Sequence, residues 1–179
     1  DQNAFVLPEY LRKVFPLSFK WKDNFVAGFS MGGYGAFKFA MQRPEMFAAC
    51  GNFSGPIAII PRTPVAPTEK LGQPCLRDDF CEPPFATLWA SFGSAAKRGN
   101  TEDDNIYLVD KRLGEGTPLP KLYFAIGSED PGAQEGYDCM DLMTHMGLEM
   151  TQVRDEGKHD WVYCNRHIQK FLDWIPLHS

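Results

Sequence analysis

Ser30 stands in Gly28-Phe29-Ser30-Met31-Gly32-Gly33, a Gly-x-Ser-x-Gly frame in which a serine hydroxyl can serve as a nucleophile. A free serine is a weak nucleophile at neutral pH, so the chemistry also needs a histidine to take its proton and an acid to orient that histidine. The apolar run Phe25-Val26-Ala27 before the frame reads as a short buried strand. Gly35-Ala36-Phe37-Lys38-Phe39-Ala40-Met41 after it reads as a helix that stops at Arg43-Pro44. A serine on the tight turn between them has strained backbone angles, and Gly28 and Gly32 are expected to be small so that strand and helix approach closely. The same turn puts the Met31 amide at the helix N-terminus, where an oxyanion would form. The competing reading is a glycine-rich turn whose serine only caps a helix; it leaves the flanking strand and helix patterns unexplained.

The acid and base belong downstream, in the chain order nucleophile, acid, base, each at the carboxyl end of a different strand. Leu122-Tyr123-Phe124-Ala125-Ile126 is the best strand after the frame, and it runs into Gly127-Ser128-Glu129-Asp130-Pro131-Gly132. Asp130 is the preferred acid because it lies further out in this loop beside Pro131, with Glu129 as the alternative. Of the four histidines, His145 and His167 fall inside helical patterns and His178 is next to the chain end. His159 lies in Glu156-Gly157-Lys158-His159-Asp160, between a strand expected at 150–154 and a last helix running from Trp161 through Ile175. That loop is where the base belongs.

With these residues in view, the chain resembles the putative-esterase family of α/β-hydrolases, which includes esterase D, tributyrin esterases and feruloyl esterases. The matching segments are Phe15-Pro16-Leu17-Ser18, the serine frame through Tyr34-Gly35-Ala36, Pro44 and Phe47, Ser54-Gly55, Phe92-Gly93 and Leu119-Pro120-Lys121-Leu122-Tyr123. They continue through Gly127-Ser128-Glu129-Asp130 and Gly157-Lys158-His159-Asp160-Trp161 to Ile168-Gln169-Lys170-Phe171-Leu172-Asp173-Trp174. The resemblance implies an α/β-hydrolase fold, with Ser30, Asp130 and His159 as nucleophile, acid and base and no metal or organic cofactor. The S-formylglutathione hydrolase branch usually has histidine after the two glycines of the frame. Tyr34 at that place favours the tributyrin or feruloyl esterase branches.

A full family member has about a hundred residues before the frame, holding the first strands of the sheet and a loop that supplies a second oxyanion donor. Here only a helix-like stretch at 5–15 precedes it. Residues 1–179 are therefore expected to be the C-terminal part of an α/β-hydrolase domain. The open edge of the first strand would be completed by an upstream segment, a second chain or a homodimer.

The stretch 56–120 contains nine of the fourteen prolines and is expected to form a cap-like insertion above the strand ends. Within it Phe80, Phe85, Trp89 and Phe92 are candidates to line an acyl pocket, or else a small satellite core. Tyr34 and Trp161 flank the catalytic residues and are candidates for its border. The run 100–105, with Glu102, Asp103 and Asp104, is expected to begin or connect a surface helix. The five cysteines show no metal-ligand spacing and read mostly as core thiols; if the protein is exported, Cys75 and Cys81 could close a loop disulfide.

A hydrophobic fraction of 44% with 23% charged residues excludes a disordered chain, and no apolar run reaches membrane-spanning length. The net charge of -5 offers no basic footprint for nucleic acid. The implied activity is hydrolysis of uncharged carboxylic esters, either short acyl esters or hydroxycinnamoyl and acetyl esters of carbohydrates. A thioesterase or acyltransferase would use the same three residues. A non-catalytic carbohydrate-binding or scaffold homologue would be expected to lack one of them.

Overall fold

A computed structural model describes residues 3–58 and 101–177, with side chains from residue 9 onward. Nine longer elements follow in chain order: α1 (Asn3–Val14), β1 (Phe25–Phe29), α2 (Met31–Gln42), β2 (Ala49–Phe53), α3 (Asn105–Gly114), β3 (Lys121–Gly127), α4 (Ala133–His145), β4 (Thr151–Asp155) and α5 (Trp161–Trp174). The four strands pair in the order β1-β2-β3-β4, all parallel. Their carboxyl ends therefore lie along one rim. The pairs Phe29 with Phe53, Phe53 with Ala125 and Gly127 with Asp155 set the register there.

Alternation along β3 explains the layering, because successive side chains of a strand point to opposite faces. Leu122, Phe124 and Ile126 pack with Phe37 and Met41 of α2, Ile106 and Val109 of α3, and Met140 and Met143 of α4. Tyr123 and Ala125 point the other way, against Tyr163, Cys164 and Phe171 of α5. The sheet is thus covered on both faces, as a parallel sheet requires. On the second face the rings of Phe53, Tyr123 and Phe171 meet edge to face at 5.8–6.2 Å between centroids.

The expected strands and helices around the serine, acid and histidine form with boundaries shifted by a few residues. β2 is an addition. Its sequence, Ala-Cys-Gly-Asn-Phe, carries no alternation and only one bulky side chain, so it becomes a strand through pairing on both sides rather than through its own pattern. Of the stretch 56–120, only 56–58 and 101–120 are among the described residues. α3 buries Ile106, Leu108 and Val109 in the main core, which places it in a helical layer of the sheet rather than above the strand ends. Residues 59–100, with Cys75, Cys81, Phe80, Phe85, Trp89 and Phe92, lie outside the described residues.

The acidic run 102–104 docks on α2 instead of only leading into a surface helix. Asp103 pairs with Lys38, while its carbonyl accepts a hydrogen bond from the Tyr34 hydroxyl at 2.8 Å. The Asp104 carboxylate caps α3 by accepting from the amides of Ile106 and Tyr107. From α3, Arg112 reaches back to the carbonyls of Met41 and Gln42, satisfying acceptors at the C-terminus of α2. α2 is therefore held at both its middle and its end.

Of the two glycines expected to be needed at the turn, the structure requires one. A Cβ on Gly28 would lie 2.2 Å from the backbone carbon and oxygen of Gly32, whereas among the described residues a Cβ on Gly32 would meet nothing within 4 Å beyond its own helix. The close approach belongs to the side of Gly28; at Gly32 it is the backbone that comes near. Gly28→Ala is accordingly expected to cost about 3 kcal/mol or more in urea unfolding, while Gly32→Ala stays within about 1 kcal/mol of the parent. Equal losses from the two substitutions would contradict this account.

Candidate active site

Ser30 sits between the end of β1 and the start of α2 with φ 54° and ψ -126°, a backbone conformation that a residue with a side chain seldom adopts. Three hydrogen bonds hold it there. Its amide donates to the Phe53 carbonyl at 2.9 Å, and its carbonyl accepts from the amides of Gly33 and Tyr34 at 2.8 and 3.2 Å. The side chain is thereby turned away from the helix, and it makes no capping hydrogen bond.

The hydroxyl Oγ lies 3.0 Å from Nε2 of His159, and Nδ1 of the same ring lies 2.7 Å from Oδ2 of Asp130. Asp130 is buried, its side chain only 3% exposed against 37% for His159. Its other oxygen, Oδ1, accepts the Gly132 amide at 2.9 Å. A buried carboxylate held by two donors fixes the imidazole with hydrogen on Nδ1 and leaves Nε2 free to accept from the serine. Glu129, the alternative acid, is half exposed and lies 3.7 Å from Lys158. Of the two carboxylates, only that of Asp130 lies against the imidazole.

The rest of the rim supports this arrangement. Phe29, the last residue of β1, lies against the imidazole with centroids 4.8 Å apart, and the Trp161 ring lies 5.1 Å from the Phe29 ring. Trp161 is 74% exposed and Met31 37%, so both present apolar surface next to the serine. The Met31 amide is among the first amides of α2, which have no partner within the helix. Tyr34 is not brought to this surface; it is buried, with its hydroxyl on the Asp103 carbonyl. Trp89 and Phe92 lie outside the described residues.

Sequence reasoning missed Asn52. It is buried at the end of β2, and its amide exchanges two hydrogen bonds with the backbone of Gly55, closing a turn beside the serine. Asn52, Ser54 and Gly55 follow one another within four residues, and Ser54 also has positive φ, at 48°. A strained turn at a neighbouring strand end was legible only as a short polar and glycine cluster.

His167, read as a helix residue, is fully buried in α5, with Nδ1 3.4 Å from the Tyr123 hydroxyl. Nε2 is 3.2 Å from Asp155 Oδ1 but out of line for a hydrogen bond. Among the described residues no group of three or more histidine, cysteine or acidic side chains is placed to hold a metal ion. No described helix is long and apolar enough to cross a membrane.

The fold is the α/β-hydrolase fold, and residues 6–175 match the family described as Putative esterase, to which the chain belongs. It is 28% identical over 167 residues to an acetyl esterase of Caldicellulosiruptor saccharolyticus, covering 93% of this chain and 59% of that protein. Two solved structures from Staphylococcus aureus are similar. One is the fluorophosphonate-binding serine hydrolase FphF, with a TM-score of 0.78 and 28% identity over 99% of this chain and 63% of that one. The other is the S-formylglutathione hydrolase FrmB, with a TM-score of 0.76 and 29% identity over 96% of this chain and 61% of that one. The chain thus spans about three fifths of the length of these relatives.

The buried histidine of α5 gives the site surroundings a pH dependence. Burial lowers the His167 pKa, and Lys170 and Arg166 add to this against the pull of Asp155. The folded chain therefore takes up this proton less readily than the unfolded chain, whose histidine titrates near 6.5. Its contribution is complete above that pH and is lost as pH falls below it. Asp155 acts in the same direction at lower pH. Burial pushes its carboxyl up, but the Tyr163 hydrogen bond, His167 and Lys170 outweigh this and hold it below its ordinary 3.8. Urea unfolding is expected to show stability declining from about pH 7 to about pH 5, with a smaller decline in His167→Gln. Equal slopes in the two proteins would contradict the assignment.

Proposed function

We propose that this chain carries the nucleophile, acid and base of a serine carboxylic ester hydrolase. The observation that supports this best is the continuous line from Ser30 Oγ through the His159 ring to the buried Asp130, at 3.0 and 2.7 Å. In this reading Ser30 attacks the ester carbonyl while His159 Nε2 takes the hydroxyl proton, and the same nitrogen returns it to the departing alcohol. Asp130 keeps hydrogen on Nδ1 and stabilises the imidazolium that forms. The tetrahedral oxyanion accepts from the Met31 amide, with the second donor on an upstream segment or a second chain. Water attacks the acyl-serine in the second half of the reaction, with His159 as base again.

The substrate proposed is an uncharged ester with a short acyl group, borne by a small molecule or a carbohydrate. The acetyl esterase relative supports a short acyl group, and exposed Trp161 and Met31 offer an apolar border beside the serine. Trp89 and Phe92 keep their proposed role as further lining. The second reading is a thioester substrate, favoured by similarity to the S-formylglutathione hydrolase; Tyr34 after the paired glycines argues for the oxygen ester.

A fluorophosphonate probe is expected to label the chain at Ser30, as the name of one structural relative suggests. Ser30→Ala should abolish labelling and lower ester hydrolysis by roughly three orders of magnitude or more while leaving the chain folded. Asp130→Asn should cost much more kcat than Glu129→Gln. Across p-nitrophenyl esters, kcat/KM should be highest from acetyl to butyryl, with methyl ferulate and S-formylglutathione assayed alongside. Substantial turnover by Ser30→Ala would refute the mechanism, whereas preference for the thioester would replace only the substrate.

A further inference from the structure

The loop that presents His159, residues 155–160, is gripped from one side by the first turns of α5, and most of that grip converges on Tyr163. Its hydroxyl donates to Asp155 Oδ1 at 2.9 Å, at the start of the loop. Its amide donates to the Asp160 carboxylate at 2.9 Å, directly after His159. Its ring fills the space over Gly157, where a Cβ would lie 2.1 Å from Tyr163 Cδ2. One residue thus touches the loop before and after the histidine.

The hold extends to the acid. The Asp155 carbonyl accepts from the Ser128 amide at 2.8 Å and the Gly157 carbonyl from the Glu129 amide at 2.9 Å, so the histidine loop carries the 128–130 loop with it. The Tyr163 ring is itself fixed: it is buried, lies 4.3 Å from the His167 ring, and has the Arg166 guanidinium over it at 5.2 Å. Burial, the hydrogen bond to Asp155 and that carboxylate's charge all push the phenol pKa up, so the hydroxyl stays a donor at any working pH.

We propose that Tyr163 is a positioning residue for the base: its hydroxyl, through Asp155, sets the 155–160 loop so that His159 meets both Ser30 and Asp130. The inference rests on the proposed esterase reading for its kinetic consequence and on geometry alone for its structural one. A displacement of the imidazole by a fraction of an ångström weakens proton transfer without altering the surface that binds ester.

The test uses the full chain with Tyr163→Phe, which keeps the ring and deletes the hydroxyl, and Asp155→Asn, which keeps the tyrosine and removes the charged acceptor. For p-nitrophenyl acetate, each variant is expected to lose kcat by on the order of 10- to 100-fold with KM changed by less than about twofold. The two losses should not multiply in the double variant, because both remove one link. In the proton NMR spectrum, the downfield resonance of His159 Nδ1–H, assigned by its absence in His159→Gln, should shift or broaden in Tyr163→Phe.

A lowered melting temperature with kcat, KM and that resonance unchanged would overturn the proposal and leave Tyr163 a core residue only. If Tyr163→Phe fails to fold, the same measurements on Asp155→Asn decide. If the parent chain neither hydrolyses ester nor takes the fluorophosphonate probe, the esterase reading fails, and the Nδ1–H resonance still accepts or rejects the positioning role.

Discussion

Because β1 to β4 all run the same way, their carboxyl ends share one rim; Asn52 lies at the end of β2 there, and the loops leaving the rim carry Ser30, Asp130 and His159. A side chain from one loop can then reach a side chain from another without any strand reversing. The register decides how far each must reach. Phe29 lies opposite Phe53, and Ala125 opposite both Phe53 and Val153, so the last residues of the strands stand nearly abreast. From there the imidazole needs only its own length to bridge serine and carboxylate.

The two faces of the sheet contribute differently. α2 approaches β1 so closely that Gly28 admits no Cβ, and this contact, with the amide of Ser30 tied to β2, holds the serine in its strained conformation. The cost of a strained residue, roughly 1–3 kcal/mol, is borne by the surrounding packing of Phe37, Ala40 and Met41. On the opposite face α5 supplies no reacting group, yet Tyr163, Arg166, His167 and Lys170 all engage the stretch 155–157 that leads to His159. One helix begins directly after Ser30. Another packs against the loop that holds His159.

Charge is distributed to match. Asp130 is buried where its carboxylate is satisfied by a backbone amide and a ring nitrogen, while His159 remains partly exposed. Phe29 lays an apolar ring against the imidazole, with Trp161 packed on Phe29, which lowers competition from water for the hydrogen bond between serine and histidine.

The sequence by itself determined the serine frame, the acid loop, the histidine loop and the strand or helix that flanks each. These are local facts: apolar runs of strand length, a helix ended by Arg43-Pro44, and glycines at a turn are written in consecutive residues. Tertiary structure decided the rest, because it depends on residues far apart in the chain. β2 exists through pairing with β1 and β3, not through its own weak pattern. Asp130 rather than Glu129 meets the imidazole because only its side chain turns inward to the ring, a difference of one residue that no spacing rule resolves. Tyr34 sits beside the frame in sequence but turns into the contact with Asp103, whereas Tyr163, four residues after His159, reaches back to hold the loop. Sequence gives residue type and neighbourhood along the chain; the direction in which a side chain points is fixed by the packing of elements that meet only in the folded protein.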